Sequence, residues 1–161
     1  MLNKIPVGIS SCLLGELVRF DGAHKRDAYL VGTLSKYFEF HSFCPEVAIG
    51  LGIPRQPIHL VKVANEVRCV GVKEPTMDVT DRLKHYAHEQ KDIHASLCGY
   101  ILKKVSPSCG MERVKVYSGH QPHREGFGIY AQEMMKNNPL LPVEEEGRLG
   151  DAGLRENFIQ R

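Results

Sequence analysis

Three apolar stretches each run into a cysteine, and this arrangement limits the folds open to the chain. "IPVGISS" leads to Cys12, "FEFHSF" to Cys44 and "YILKKVSPS" to Cys109. The stretches are short, rich in β-branched and aromatic residues, and followed by Gly or Pro, so they read as strands that end in stiff polar corners. The thiols are separated by 32 and then 65 residues. They meet only if the fold carries the C-terminal ends of three strands to one edge. Open sheets of parallel strands do this, and their ligands sit in the crevice at that edge.

The intervening segments supply the helices such a sheet needs. Tyr29, Leu30, Leu34 and Tyr37 recur at helical spacing and predict a helix over 26–37, after a turn at "FDG" (20–22). "GLGIPRQP" (50–57), with two glycines and two prolines, is an irregular loop. "IHLVKV" and "EVRCVGV" flank Ala64 and Asn65 as a hairpin. Thr80 is expected to cap a helix that carries Leu83, Tyr86, Ala87, His94 and Leu97 on one face and stops at Gly99. A helix over 124–137 and a short strand near "LLPVE" follow. Alternating strands and helices make this an α/β chain: a Rossmann-like, three-layer domain with a mainly parallel sheet over 1–145. Residues 146–161 read as a polar tail or linker, with room for one short helix, that continues towards a further segment or docks on a partner.

Composition narrows the function classes. At 161 residues the chain has room for one domain with a real core. A net charge of +2 gives no global reason for nucleic acid or an anionic membrane as partner. Apolar runs fall far short of a membrane span, and Pro6 and Gly8 interrupt the N-terminal patch before Cys12. The expected location is the cytoplasm. Five cysteines (Cys12, Cys44, Cys69, Cys98 and Cys109) are odd in number and widely spaced, which argues against a disulfide framework.

Three thiols gathered in a reducing compartment point to a metal site. Structural zinc favours four ligands, often with a C-x-x-C pair, and no such pair occurs. An iron–sulfur cluster accepts thiolates from scattered positions. Three cysteines on a four-iron cluster leave one iron free to act as a Lewis acid. Around these thiols, Pro45 stiffens the backbone and directs Glu46 towards the same pocket. Ser106 and Ser108 flank Pro107, Gly15 and Gly110 permit close backbone approach, and Arg55 and Ser11 are candidates for substrate contacts.

Six motifs in order then carry a family resemblance. "CLLG" (12–15), "RFDG" (19–22), "CPE" (44–46), "GLGIPR" (50–55), "DVT" (78–80) and "SPSCG" (106–110) together resemble the TudS-like thiouracil desulfidase family, over about residues 4–143. The resemblance implies non-redox removal of sulfur, as hydrogen sulfide, from a thio-nucleobase such as 2-thiouracil. It implies a [4Fe-4S] cluster on Cys12, Cys44 and Cys109, with Glu46 as general acid/base and Ser106 or Ser108 assisting. The isoleucine of "GLGIPR" and the phenylalanine of "RFDG" depart from the family's usual residues. The "GRLGDAGLREN" tail is similar to that of a subgroup in which a second, helical domain follows; a homo-oligomer is the other partner expectation.

Plainer readings stand beside these. Cys69 and Cys98 are read as inert buried thiols. Glu46 has an alternative role at a helix N-terminus after Pro45, Ser106 and Ser108 as turn residues, and Arg55 as a salt-bridge partner. "HQPH" (120–123), and His85 with His88, are read as solvated faces rather than zinc sites, and "EEEG" (144–147) as an exposed acidic run. Two functional alternatives remain: a non-catalytic iron–sulfur sensing or sulfur-carrier module that serves a second domain, and a zinc-bound structural domain.

Overall fold

Strands β1 (Ile5–Ser10) and β2 (Phe38–Phe43) form where apolar side chains alternate, and they pair in parallel from Ile5↔Phe38 to Ser10↔Phe43. The computed structural model describes residues 4–16, 32–119 and 121–146. The other face of β1 pairs, again in parallel, with β5 (Gly99–Leu102), and β5 pairs in parallel with β8 (Val143–Glu145). The resulting sheet has the order β2-β1-β5-β8. Its central strand β5 is buried at all four positions, as expected of a parallel strand covered on both faces.

A second sheet, not anticipated as separate, holds β3 (Ile58–Val63), β4 (Glu66–Gly71), β6 (Val114–Ser118) and β7 (Gln121–Gly126) in the order β4-β3-β6-β7. Only its β3–β6 pair is parallel; β3–β4 and β6–β7 are hairpins. Between the two sheets lie α2 (Thr80–Glu89) and α4 (Ile129–Asn137), with α3 (Lys91–Ala95) packed against both helices and the short α1 (Pro45–Ala48) preceding them in the chain. Leu83 and Ile129 face the second sheet, with Leu60, Cys69 and Val116. Ala87, Tyr130, Ala131 and Met134 face the first, with Phe43, Tyr100 and Leu102. The opposite face of the first sheet packs Val7, Ile9, Phe38 and Ile101 against Leu13 and Leu34. The fold is α/β, three-layered and Rossmann-like, with an all-parallel first sheet. None of the helices in the described residues is long and apolar enough to cross a membrane.

Several sequence expectations need correction. The helix placed over 124–137 begins only at Ile129, because 121–126 pair with β6 as a hairpin strand. Thr80 does not cap α2 with its side chain; its Oγ1 accepts from the buried Cys69 amide at 2.7 Å and ties the helix to β4. The helix after Thr80 breaks at Gln90, and Gly99 opens β5 instead of stopping it. Strand β5 ends at Leu102, so Lys103 and Lys104 belong to the following turn. Of the predicted 26–37 helix, residues 26–31 lie outside the described residues; Gly32 is helical, and a 3-10 turn, Leu34–Lys36, follows it. The acidic run is not exposed: Glu144 and Glu145 are buried. Cys98 is exposed rather than buried, whereas Cys69 is buried as expected. His85 pairs with Glu89 and His88 with Glu133, each at 2.7 Å, on exposed faces. The "FDG" turn, His120 and the tail beyond Glu146 lie outside the described residues.

The start of α4 is built from the loop before β6. Gly128 N donates to Gly110 O at 2.7 Å, Ile129 N to Pro107 O and Ala131 N to Ser108 O, both at 3.0 Å. Amides at a helix start lack intrahelical partners, and here the Cys109 loop supplies them. A Cβ on Gly128 would meet Gly110 N and Ser108 O at 2.6 Å. Gly128→Ala is therefore expected to lower stability by about 1–3 kcal/mol, read as a drop in Tm.

His94 is fully buried, with Nε2 2.6 Å from the Tyr130 hydroxyl, which lies 3.0 Å from that of Tyr100. Among the described residues its buried Nδ1 has no hydrogen-bond partner. Burial pushes its pKa down from the ordinary 6.5 to about 4. The folded state thus favours neutral imidazole and the unfolded chain takes up a proton first, so this stabilisation is complete above about pH 6.5 and is lost as pH falls towards 4. Urea unfolding between pH 7 and 4 should show a decline on the order of 2–3 kcal/mol from this group. The decline should flatten in His94→Phe.

Candidate active site

The parallel pairing sets three strand exits side by side, and a cavity of about 380 Å³ opens there. Cys12, Cys44 and Cys109 all line it, with Ser10, Ser11, Glu46, Arg55 and the 103–108 segment. Cys12 sits in the 3-10 turn Ser11–Leu14 immediately after β1, closed by Gly15 at φ +93°, whose amide bonds Cys12 O. That left-handed conformation is one glycine adopts without steric cost. Cys44 is the N-cap residue of α1, with Pro45 in the first turn. Cys109 follows the tight "SPS" corner, where Ser106 Oγ accepts from the Ser108 and Cys109 amides at 3.3 and 3.1 Å.

Glu46 lies on the first turn of α1, yet its carboxylate does not cap the helix. Oε1 receives Arg55 Nε at 3.2 Å and Oε2 receives the Ser108 hydroxyl at 2.8 Å. The Glu46 side chain is 15% exposed and that of Arg55 5%. Arg55 also donates to Gly52 O at 2.9 Å, which fixes the guanidinium from its own loop. A charge-assisted pair this sheltered holds its geometry, because breaking it would strand a buried charge. Ser108, 1% exposed, also has its Oγ 3.1 Å from Ser106 Oγ and 3.7 Å from Cys109 Sγ. The arrangement therefore presents a carboxylate and a hydroxyl as a proton-handling pair beside a thiol.

The thiols' electrostatics follow from burial. Burial pushes Cys109 up to about 12, against the pull of hydrogen bonds from Ser10 and Ser108. Burial also raises Cys44, which the Val47 amide partly offsets. Without a metal these thiols keep their protons, so ligation must displace them.

Cys12, Cys44, Cys109, Glu46, Arg55, Ser11, Ser106 and Ser108 thus all line one cavity. Arg55 is both a pocket residue and a salt-bridge partner, since its partner is Glu46. Sequence reasoning missed Ser10, whose Oγ accepts from the Lys103 amide at 3.0 Å and which bonds Cys109. It also missed Lys103, Glu145 and Glu146. The signal available was position: Ser10 is the last residue of a strand whose exit forms the site. Cys69, in β4, and Cys98 do not line the cavity. Among the described residues, no group of three or more His, Cys, Asp or Glu could hold a single metal ion.

The family model for 2-thiouracil desulfurase matches residues 7–146. A solved structure, the [4Fe-4S]-dependent thiouracil desulfidase TudS, is similar at a TM-score of 0.72 and 27% identity, over 96% of this chain and 99% of that one. No curated protein sequence matches this chain. The family match spans both the three thiol-bearing strand exits and the Glu46–Arg55–Ser108 constellation, and the chain belongs to the 2-thiouracil desulfurase family.

Proposed function

We propose that this chain removes sulfur as sulfide from a thiolated pyrimidine, with no net redox change, at a [4Fe-4S] cluster held by Cys12, Cys44 and Cys109. The observation that carries the reading is the convergence of three thiols with the Glu46–Ser108 pair in one cavity. The donor set fits the group: soft sulfur ligands match iron–sulfur chemistry, and neither of the other two cysteines lines the cavity to complete a four-cysteine set. When bound there, the cluster supplies a thiophilic iron without a protein thiolate, able to polarise a thiocarbonyl.

The chain's own residues manage water and protons. Exchange of a thiocarbonyl for a carbonyl consumes one water: its oxygen ends on the carbon and its two protons leave with sulfur as hydrogen sulfide. No electrons are gained or lost. Glu46 takes the first proton from the attacking water at Oε2 and returns it to the departing sulfur. Ser108 Oγ hydrogen-bonds that same oxygen and keeps it aimed into the cavity. Arg55 holds the other carboxylate oxygen and fixes the rotamer. Ser106 positions the loop amides, so Ser108 rather than Ser106 fills the assisting role. Ser11 and Arg55 face the space a small heterocycle would occupy. A carboxylate and hydroxyl poised in an open cavity support catalysis over a purely sensing or sulfur-carrying module.

Anaerobically reconstituted protein should hold about four iron and four acid-labile sulfide per chain, with both falling sharply in Cys12→Ala, Cys44→Ala and Cys109→Ala. Retention of iron by all three variants would remove the ligand assignment. Glu46→Gln should keep the cluster and lose at least about 100-fold in sulfide release from 2-thiouracil. Undiminished turnover by that variant would overturn its role.

A further inference from the structure

Strand β8 runs into Glu146, whose side chain is only 9% exposed because both its oxygens serve the turn after β5. Oε1 accepts the Lys104 amide at 2.7 Å, and Oε2 pairs with Lys103 Nζ at 2.9 Å. Beside it, Ser10 Oγ takes the Lys103 amide at 3.0 Å. At the far end of the same loop, Glu145 Oε2 accepts the Met111 amide at 2.8 Å. Between these anchors Val105 sits at φ +54°. A β-branched residue is crowded in that left-handed region, and the conformation persists only where the surroundings enforce it. Val105 is half exposed and lines the cavity, so packing of its own side chain does not hold it there. The anchors on either side do.

We propose that Glu146, with Ser10 and Glu145, is a positioning residue for the active site: it draws the chain through the left-handed turn at Val105 that aims Ser106, Ser108 and Cys109 at Glu46. The roles of Ser108 and Cys109 rest on the desulfidase reading, but the brace is measurable without activity. A glycine at 105 would take this conformation freely. With valine there, the loop's shape depends on a carboxylate more than 40 residues away.

The test uses the full-length protein as wild type, Glu146→Ala, Glu146→Gln, Val105→Gly and the Glu146→Ala/Val105→Gly pair. Amide hydrogen exchange over 106–110 reports loop order at bonds Glu146 does not itself make, and kcat and KM for sulfide release from 2-thiouracil report the site. Glu146→Ala should speed exchange there, and lower kcat/KM, by roughly tenfold each. Glu146→Gln should fall between, since its amide oxygen still accepts the Lys104 N–H, and it decides the same question if the alanine variant does not fold. Adding Val105→Gly should restore at least half of the lost protection and turnover, a rescue that a general loss of stability would not show. Unchanged exchange at 106–110 in both Glu146 variants, or no rescue by glycine, overturns the proposal. A wild type that releases no sulfide would refute the desulfidase reading, while the exchange pattern still decides the brace.

Discussion

Parallel pairing of β1 with both β2 and β5 is the constraint on which the site depends. Parallel neighbours point their C-terminal ends the same way, so whatever follows each strand emerges at a common edge. In this chain a cysteine follows each of the three. Reversing any one strand would send its thiol to the opposite edge. The polar corners after the strands, Ser11–Leu14, Cys44–Pro45 and the "SPSCG" turn, can therefore be short and rigid, because the sheet has already brought them close.

Burial then sets the chemistry. Arg55 and Glu46 lose much of their hydration and recover it in each other, in Gly52 O and in the Ser108 hydroxyl. The same principle governs Glu144–Glu146, where carboxylates drawn out of solvent each find an amide or ammonium partner. Burial raises the Glu145 carboxyl above its usual range, despite the Met111 amide, so even a partnered acid carries a desolvation cost here. The carboxylates that are drawn out of solvent here are the ones that tie down loops.

The strands that carry the thiols were legible because each is short, apolar and punctuated by Pro or Gly, and the residues of the cavity followed from their exits. Residues 124–126 were misread as helical because "QPHREG" is nearly all exposed and has no apolar period to mark it as a strand. Its pairing comes from β6, which is tertiary information. "EEEG" misled in a similar way: local composition gives acids to solvent, and only the pairing of β8 with β5 reveals the amides waiting for them. Ser10 was overlooked in favour of Ser11 because adjacent serines cannot be told apart until the strand's register is known. The second sheet was invisible for the same reason: β3 pairs with β6 across more than 50 residues.

The order of pairing also governs how the site comes into being during synthesis. β1 meets β2 early, so Cys12 and Cys44 can stand side by side once the first third of the chain has emerged. β5 and the Cys109 loop arrive much later, and that loop is completed only when the amides of α4 have been made and have taken its carbonyls. Contacts so distant in sequence are slow to close. Pairing of β1 with β2 draws only on the first third of the chain, whereas the third thiol is set by β5 and α4. The cavity that all three thiols line is therefore a property of the finished chain and of no shorter part of it.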